Sequence, residues 1–548
     1  MKKSSFVEGT LIATLAIVFV KILGMLYVIP FYALIGIKGS ALYAYAYNIY
    51  VIFLDISSAG LPIAISKVIT EFNTLNQQEA KVRAYRIGKS IMVFLAVCVF
   101  IILMLFAPQI ANLLLGDLSG GNTPEDVAFV IRAISFAVLV IPFLSVSKGF
   151  LQGHNIINVS SLSQVIEQVV RITVILLGSF LALRVFHAST KTAVSISVTG
   201  AFFGGLVAYL FVKRKLNVNK KQIGLDVKYE KKDDITSKEI VKKIFSYAIP
   251  FIIINTVYSF YNFVDMTLIL RYMNYLGLDA LDVEFVASAI STWAPKINMV
   301  VVSFAMGMTM SLIPNIVEAF TLKKWEQVER KLNQALQIIL FISVPCTIGI
   351  SLLSTSIWTI FYGYNPNGSI ILAVNIFTAL FLNIYTITSS TLQGLNKFKL
   401  VYKTTITGFV LNALLDIPLM YLFSKIGIPP FLGACTATII GNLASSIISL
   451  TSLSKEHGIK YKETFKVIMK MVIPTIAMIA VVVLLKLVLP INYESKLSCI
   501  IYISISSIIG GVIYLVISFK MGIIKQVFGK NMVNKILKKL TFNKISLD

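Results

Sequence analysis

Long apolar runs recur along the whole chain, and they constrain the fold more than any other feature of the sequence. Fourteen runs are long enough to cross about 30 Å of hydrocarbon as α-helices. Lipid offers no hydrogen-bond partners, so the backbone of a spanning segment must satisfy itself, which favours helices. We therefore predict an all-α integral membrane protein with about fourteen transmembrane helices. The runs lie near 8–36, 41–69, 88–115, 128–151, 162–186, 190–212, 244–272, 285–316, 332–356, 370–393, 404–424, 428–452, 466–489 and 497–519.

Basic residues outnumber acidic ones by 49 to 25, which gives a net charge of +24. In a soluble protein this excess would suggest nucleic acid. Here, with both termini placed in the cytoplasm, 38 basic residues fall on the inner face, six on the outer face and five within spans. This asymmetry predicts cytoplasmic termini and suits contact with anionic membrane lipids. We expect no nucleic-acid partner, because no basic stretch is paired with an aromatic stacking motif.

An internal repeat predicts the domain organisation. Residues 149–155 (GFLQGHN) match 390–396 (STLQGLN), and a weaker match pairs 107–116 with 354–363. The offset corresponds to six spans, so the two halves would share one orientation, as in many alternating-access transporters. We predict a six-helix lobe over 1–212, a basic linker over 213–243, a second six-helix lobe over 244–452, two further helices within 453–519 and a basic tail over 520–548.

Ionisable residues inside the spans are candidate functional residues, because each costs at least ~2.5 kcal/mol unless it faces water or a partner. Several fall on polar stripes with helical spacing. Three stripes are expected to line water or one another: Gln164, Glu167, Gln168 and Arg171; Asn255, Ser259, Asn262 and Asp265; and Asn412 with Asp416. Two alternatives stay open: Glu167 and Arg171 neutralise each other as an i, i+4 pair, and Asp416 is a structural hydrogen-bond acceptor.

Two lysines have no acidic residue nearby in sequence. Lys21 lies in the first span and Lys296 in the eighth, one in each predicted lobe. We predict that both face a shared cavity, where they would attract an anion such as a phosphate. Two other basic residues, Arg132 and Lys486, lie near span ends and are expected to extend their charges towards the interface.

Other kinds of chemistry find little support in the sequence. Residues 88–90 (GKS) resemble the end of a phosphate-binding loop, but Arg83 stands where that motif needs an earlier glycine. The three histidines are far apart and the four cysteines fall singly in predicted spans. We expect no cofactor, no bound metal and no enzymatic activity, since the outer loops are also short.

Several segments resemble the MurJ/SpoVB group of flippases in the MOP (MATE-like) exporter superfamily. They are KILGMLYVIPF at 21–31, KGFLQGH at 148–154, SQVIEQVVR at 163–171, YNFVD at 261–265, SLIP at 311–314 and LQGLN at 392–396. The resemblance extends through nearly the whole chain, and the 148–171 block is its most specific part.

The resemblance implies two six-helix lobes in a V-shaped arrangement around a cationic cavity, with the last two helices forming a groove for a polyprenyl tail. It implies that Lys21 and Lys296 contact the lipid diphosphate. A second basic position of the family is Tyr27 here, so either the charge of the site is lower or Arg171 supplies it. Coupling to Na⁺, H⁺ or the membrane potential would involve Asp55 or Asp265.

The function that follows is transport of an undecaprenyl-pyrophosphate-linked sugar, with lipid II as the leading substrate, from the inner to the outer leaflet. A flippase for another lipid-linked polysaccharide precursor is the first alternative. A cation-coupled multidrug exporter is the second, and the two spans beyond twelve argue against it. The sequence predicts a location in the bacterial cytoplasmic membrane.

Overall fold

The computed structural model describes residues 19–56, 60–154, 156–221, 223–225 and 234–529. Over these residues the regular secondary structure is helical, without a β-strand. The helices are α1 (Phe19–Leu54), α2 (Leu61–Thr74), α3 (Gln78–Leu115), α4 (Pro124–Gly153), α5 (Asn158–Val185), α6 (Thr190–Val218), α7 (Ser237–Tyr275), α8 (Ala280–Thr321), α9 (Trp325–Leu352), α10 (Ser354–Tyr362), α11 (Pro366–Gly394), α12 (Phe398–Lys425), α13 (Phe431–His457), α14 (Lys462–Val488), α15 (Lys496–Lys520) and α16 (Ile523–Phe528).

Thirteen helices in the described part of the chain are long and apolar enough to span a membrane, which confirms the predicted multi-span helical fold. The sequence predicted fourteen spans, and the difference arises at the N-terminal end of the chain. Helix α1 extends into the predicted second span across Gly36, whose φ of 64° and ψ of −171° break the helical backbone. Within the predicted second span, 41–69, the α-helical part of α1 ends at Leu54 and the short α2 begins at Leu61.

The helices cluster into two compact units, one ending at Lys296 and the other beginning at Ile297. The division based on the repeat, with a linker at 213–243, stays a prediction. The described part of that linker shows that α7 already begins at Ser237. Thr236 accepts a hydrogen bond from the Glu239 amide in a capping box, which explains the start of the helix. Residues 1–18, 226–233 and 530–548, which include parts of the predicted first span, linker and tail, lie outside the described residues.

Helix α4 is central to the first unit, where it packs against α1, α2, α3 and α6. Two glycines of its repeat motif permit close contact with α2. A Cβ atom at Gly149 would lie 2.5 Å from the Pro62 carbonyl oxygen, and one at Gly153 would lie 2.9 Å from the Ser66 carbonyl oxygen. The motif therefore has a packing role, because only glycine lets the two backbones approach this closely.

In the second unit, α12 and α13 form the largest helix–helix interface, and α11 packs on α13. A Cβ atom at Gly433 would lie 2.4 Å from the Met420 backbone nitrogen, so α12 and α13 also meet at a glycine. Inside this unit Asn383 donates to the Val301 carbonyl at 2.9 Å and to the Ser343 hydroxyl at 2.8 Å. The amide thus links three helices by hydrogen bonds where lipid-like surroundings provide no water.

A π-helical turn interrupts α8 at Ala289–Trp293, just before Lys296. Its closing hydrogen bond runs from the Ala294 amide to the Ala289 carbonyl, five residues apart. All five residues of the turn are buried. Asn48 of α1 donates to the Thr292 hydroxyl at 2.9 Å and so holds the turn against α1.

The carboxylate of Glu284 is fully buried near the start of α8. It accepts hydrogen bonds from the backbone amide of Asn122 at 2.7 Å and from the Asn122 side chain at 2.9 Å. The same Asn122 amide group donates to the Lys38 carbonyl at 3.0 Å. Glu284 therefore fixes the loop before α4 and, through it, the segment that follows Gly36.

Replacement of Glu284 by alanine is expected to destabilise the protein by about 2–3 kcal/mol, because the buried backbone amide of Asn122 and one of its side-chain N–H bonds lose their acceptor. The measurement is thermal unfolding of the purified full-length protein. Glu284→Gln is the matched control, because it keeps one carbonyl acceptor and should lose less. Equal melting temperatures for Glu284→Ala and the unmodified protein would contradict this role of the carboxylate.

Candidate functional site

Lys296 is surrounded by aromatic rings. Its ammonium group donates a hydrogen bond to the Tyr27 hydroxyl at 2.9 Å. The nitrogen lies 5.1 Å from the ring centre of Tyr27, 5.9 Å from Tyr43, 5.5 Å from Tyr47 and 5.7 Å from Trp293. Each distance is within the range of a cation–π interaction. The rings hold the ammonium group in place while neutralising none of its charge.

Helix α1 supplies most of this aromatic surface. Tyr43, Tyr47 and Tyr50 have i, i+4 and i+7 spacing and so share one face of the helix, here named the tyrosine face. The rings of Tyr43 and Tyr47 are stacked with centres 5.6 Å apart, and those of Tyr47 and Tyr50 are 6.2 Å apart. The hydroxyls of Tyr27 and Tyr43 are 3.5 Å apart. The tyrosine face is therefore a continuous aromatic strip beside Lys296.

The structure brings Lys21 near Lys296. Lys21 lies on α1, six residues before Tyr27, and is partly buried. Its ammonium group is close enough to that of Lys296 for the two charges to repel each other. Two like charges held close together in a weakly solvated place favour a shared anionic partner. That the two lysines face one cavity and contact a substrate there stays a prediction.

Arg171, the third predicted diphosphate-binding residue, forms an ion pair with Glu167. The guanidinium nitrogen lies 2.7 Å from Glu167 Oε1, while Lys148 Nζ lies 3.3 Å from Glu167 Oε2. One carboxylate therefore serves two cations, and the group carries a net positive charge. Arg171 also lies within electrostatic range of the tyrosine face.

The predicted acidic residues occupy several places. In the first unit Asp55, at the end of α1, accepts a hydrogen bond from Ser259 on α7. Asp265 is 3% exposed on the same helix. Of the two predicted asparagines there, Asn255 donates to the Phe251 carbonyl of its own helix at 2.9 Å, and Asn262 is half-buried. The polar stripe predicted on α7 therefore contacts α1 through the hydrogen bond from Ser259 to Asp55.

In the second unit Asn412 and Asp416 are both fully buried on α12, one turn apart. Burial of a carboxylate at this depth requires hydrogen bonds or a cation nearby. Both the structural and the coupling interpretation of Asp416 are compatible with this position.

Sequence reasoning missed Tyr43, Tyr47 and Trp293, and it counted Lys148 only as an inner-face charge. A signal was present in the spacing of the tyrosines over 43–50 (YAYAYNIY), which places three of them on one helix face. Aromatic residues are common in spans, so the spacing alone does not separate a binding surface from packing.

Comparison with known proteins establishes the family. The polysaccharide biosynthesis protein family matches residues 6–320, more than half of the chain. The chain belongs to this family. The MatE family matches residues 250–417 as well, in keeping with the wider MOP superfamily.

Relatives of known sequence identify the branch of this family as the MurJ/SpoVB group. The lipid II flippase MurJ of Bacillus subtilis (strain 168) is 32% identical over 542 residues, which cover 96% of this chain and 98% of the relative. Stage V sporulation protein B of the same organism is 24% identical over 467 residues, covering 84% of this chain and 86% of that protein. The predicted resemblance is confirmed.

Solved structures share the fold. A lipid II flippase MurJ in an inward closed conformation aligns with a TM-score of 0.69 and 18% identity, covering 93% of this chain and 99% of that one. An inward-facing multidrug resistance MATE family transporter of the MOP superfamily aligns with a TM-score of 0.63 and 17% identity, covering 80% and 96%. At these identities the structural likeness shows the shared fold. This chain is a multi-pass membrane protein.

Proposed function

We propose that the chain is a flippase that moves an undecaprenyl-pyrophosphate-linked sugar, lipid II in the first instance, from the inner to the outer leaflet. The observation that carries the proposal is the 32% identity to a lipid II flippase over nearly the full length of both proteins. The bacterial cytoplasmic membrane, with both termini inside, is the proposed location, supported by the charge asymmetry of the loops. Transport of this kind breaks no covalent bond, so no enzymatic step is proposed.

The diphosphate of the substrate would bind at Lys21 and Lys296. Two positive charges within range of each other are stabilised when a diphosphate lies between them. A lysine acts as a point charge and gives no fixed bidentate geometry. Arg171, which pairs with Glu167, is the proposed bidentate donor. The polyprenyl tail would stay in lipid while the two predicted lobes alternate access to the site.

A coupling ion or the membrane potential would reset the carrier. Na⁺ and H⁺ are both proposed candidates, and each would act at buried carboxylates. Asp265 and Asp416 support this proposal by their burial, and Asp55 by its hydrogen bond to Ser259. A charge of one unit crossing the membrane potential supplies about 2.3 kcal/mol per 100 mV, enough to bias such a cycle.

The function is tested in a bacterium whose own lipid II flippase is depleted and in which this protein is supplied from a plasmid. We expect growth to be restored and lipid II to become exposed on the outer leaflet. Cells with an empty plasmid are the control. Accumulation of lipid II inside, with the folded protein present in the membrane, would overturn the assignment.

Two other functions remain distinguishable from this one. A flippase for another lipid-linked polysaccharide precursor is favoured by the family description over residues 6–320. It would restore export of that precursor and leave lipid II inside. A multidrug exporter is favoured by the MatE match over residues 250–417, and a drug-efflux assay would reveal it.

A further inference from the structure

A cavity of about 840 Å³ lies in the first unit, away from Lys296 and the tyrosine face. It is formed by the end of α3, the start of α4 and the start of α6. The predicted topology places these helix ends at the outer face. Its lining includes Pro108, Phe129 and two basic residues, Arg132 and Lys191. Only six basic residues are predicted on the outer face, and one of them, Lys191, lies at this cavity together with Arg132.

Arg132 is fixed in this cavity by a proline. In a regular helix the Met104 carbonyl would accept a hydrogen bond from the residue four positions later, but that residue is Pro108, which has no N–H group. The Nε of Arg132 donates to the Met104 carbonyl instead, at 3.2 Å. The guanidinium group is therefore held beside Pro108 on α3. Its two terminal amino groups make no hydrogen bond within the described part of the chain and remain available.

Lys191 is positioned by a second set of contacts. Its ammonium group lies 2.9 Å from Asp126 and 5.7 Å from the ring centre of Phe129. Asp126 is itself fixed by the capping box that it forms with Thr123 at the start of α4. Lys191 thus lies at the cavity with its ammonium group paired, and 40% of its side chain is exposed.

Charge balance limits what the cavity accepts. Glu125 also lines it, and Asp126 pairs with Lys191, so two carboxylates offset the two cations. A multiply charged anion would meet repulsion from both carboxylates. A single phosphodiester avoids most of this repulsion and offers the oxygens that a guanidinium fork binds best. The apolar side of the cavity, with Phe129 and Pro108, suits the acyl region beside such a headgroup.

We propose that this cavity binds the phosphodiester of a glycerophospholipid, with Arg132 as the main donor and Lys191 as the second cation. The site is separate from the proposed transport site. It would hold a lipid at the predicted outer ends of α3, α4 and α6.

Native mass spectrometry of the full-length protein in detergent tests the proposal, with added dioleoyl phosphatidylglycerol as the probe. We expect phosphatidylglycerol to stay bound to the protein. Dioleoylglycerol, which has the same acyl chains without the phosphate, should not replace it. Arg132→Gln should weaken retention roughly tenfold, since one charge-assisted hydrogen bond contributes about 1.5 kcal/mol or more. Lys191→Gln should weaken it by a smaller factor.

Lys425→Gln is the matched control, because Lys425 is an exposed lysine at the end of α12, predicted on the same face and outside the cavity. It should retain phosphatidylglycerol fully. If Arg132→Gln does not fold, the retention measured for Lys191→Gln decides the test alone. The ammonium group that this variant loses has no contact with the Met104 carbonyl. Unchanged retention in the folded variants would overturn the site, and tighter retention of undecaprenyl diphosphate than of phosphatidylglycerol would overturn the glycerophospholipid assignment.

Discussion

Replacement of Lys296 by methionine is expected to reduce lipid II transport roughly ten- to hundredfold while leaving the protein folded. Methionine keeps an unbranched side chain of similar length, so packing against Tyr27, Tyr43 and Trp293 is largely retained. What disappears is the charge that would meet the diphosphate. The measurement is transport of labelled lipid II by the purified protein in vesicles.

The matched control is Lys425→Met. Lys425 also lies over an aromatic ring, with its nitrogen 5.4 Å from the ring centre of Tyr421, but it is exposed at a helix end. Loss of this lysine should leave transport unchanged. Tyr27→Phe should have an intermediate effect, because it removes the 2.9 Å hydrogen bond and keeps the ring. Full transport by folded Lys296→Met would exclude Lys296 from the diphosphate site.

Replacement of Glu167 by glutamine is expected to lower stability by about 2 kcal/mol, since it leaves two largely buried cations without their shared carboxylate. The same change should strengthen the binding of inorganic pyrophosphate, because the guanidinium group of Arg171 no longer has a competing anion within the protein. Both effects can be measured in one experiment, thermal unfolding of the purified protein with and without pyrophosphate.

Two variants separate the interpretations of this ion pair. Lys148→Met leaves the pair of Glu167 and Arg171 intact, so it should cost little stability. The double variant Glu167→Gln with Lys148→Met carries one unpaired cation fewer than Glu167→Gln and should recover part of the stability. A loss of stability in Glu167→Gln without any gain in pyrophosphate binding would show that the pair only neutralises charge.

The helices could be predicted from the sequence because each depends on a local property, an apolar run of sufficient length. The first two spans were the exception. Whether the chain turns or continues at Gly36 depends on a positive φ that neighbouring contacts select, such as the bond from Asn122 to the Lys38 carbonyl. A hydropathy pattern contains no information about such a long-range contact.

The site was predicted in part. Lys21 and Lys296 stood out because a charge within an apolar run is costly and therefore informative. Their aromatic surroundings could not be predicted, because 11% of the chain is aromatic and a ring in a span is ordinary. Lys148 was overlooked for the opposite reason. It lies on the predicted inner face, where the excess of basic residues already accounts for a lysine. Its contact with Glu167 arises from the packing of α4 and α5, which the order of spans does not determine.

The π-helical turn in α8 accommodates one extra residue within an otherwise α-helical segment. A turn closed by a bond over five residues contains one residue more than an α-helical turn. Because these five residues complete about the same rotation as four α-helical ones, removing one residue from 289–293 would let the turn close as ordinary helix while Lys296 kept nearly its present direction. The direction of Lys296 is therefore set by the α-helical residues on either side, and the extra residue changes only which side chains the turn itself presents. A single-residue deletion within 289–293 should thus be tolerated better than one in the regular part of the helix, where each lost residue rotates the following ones by about 100°.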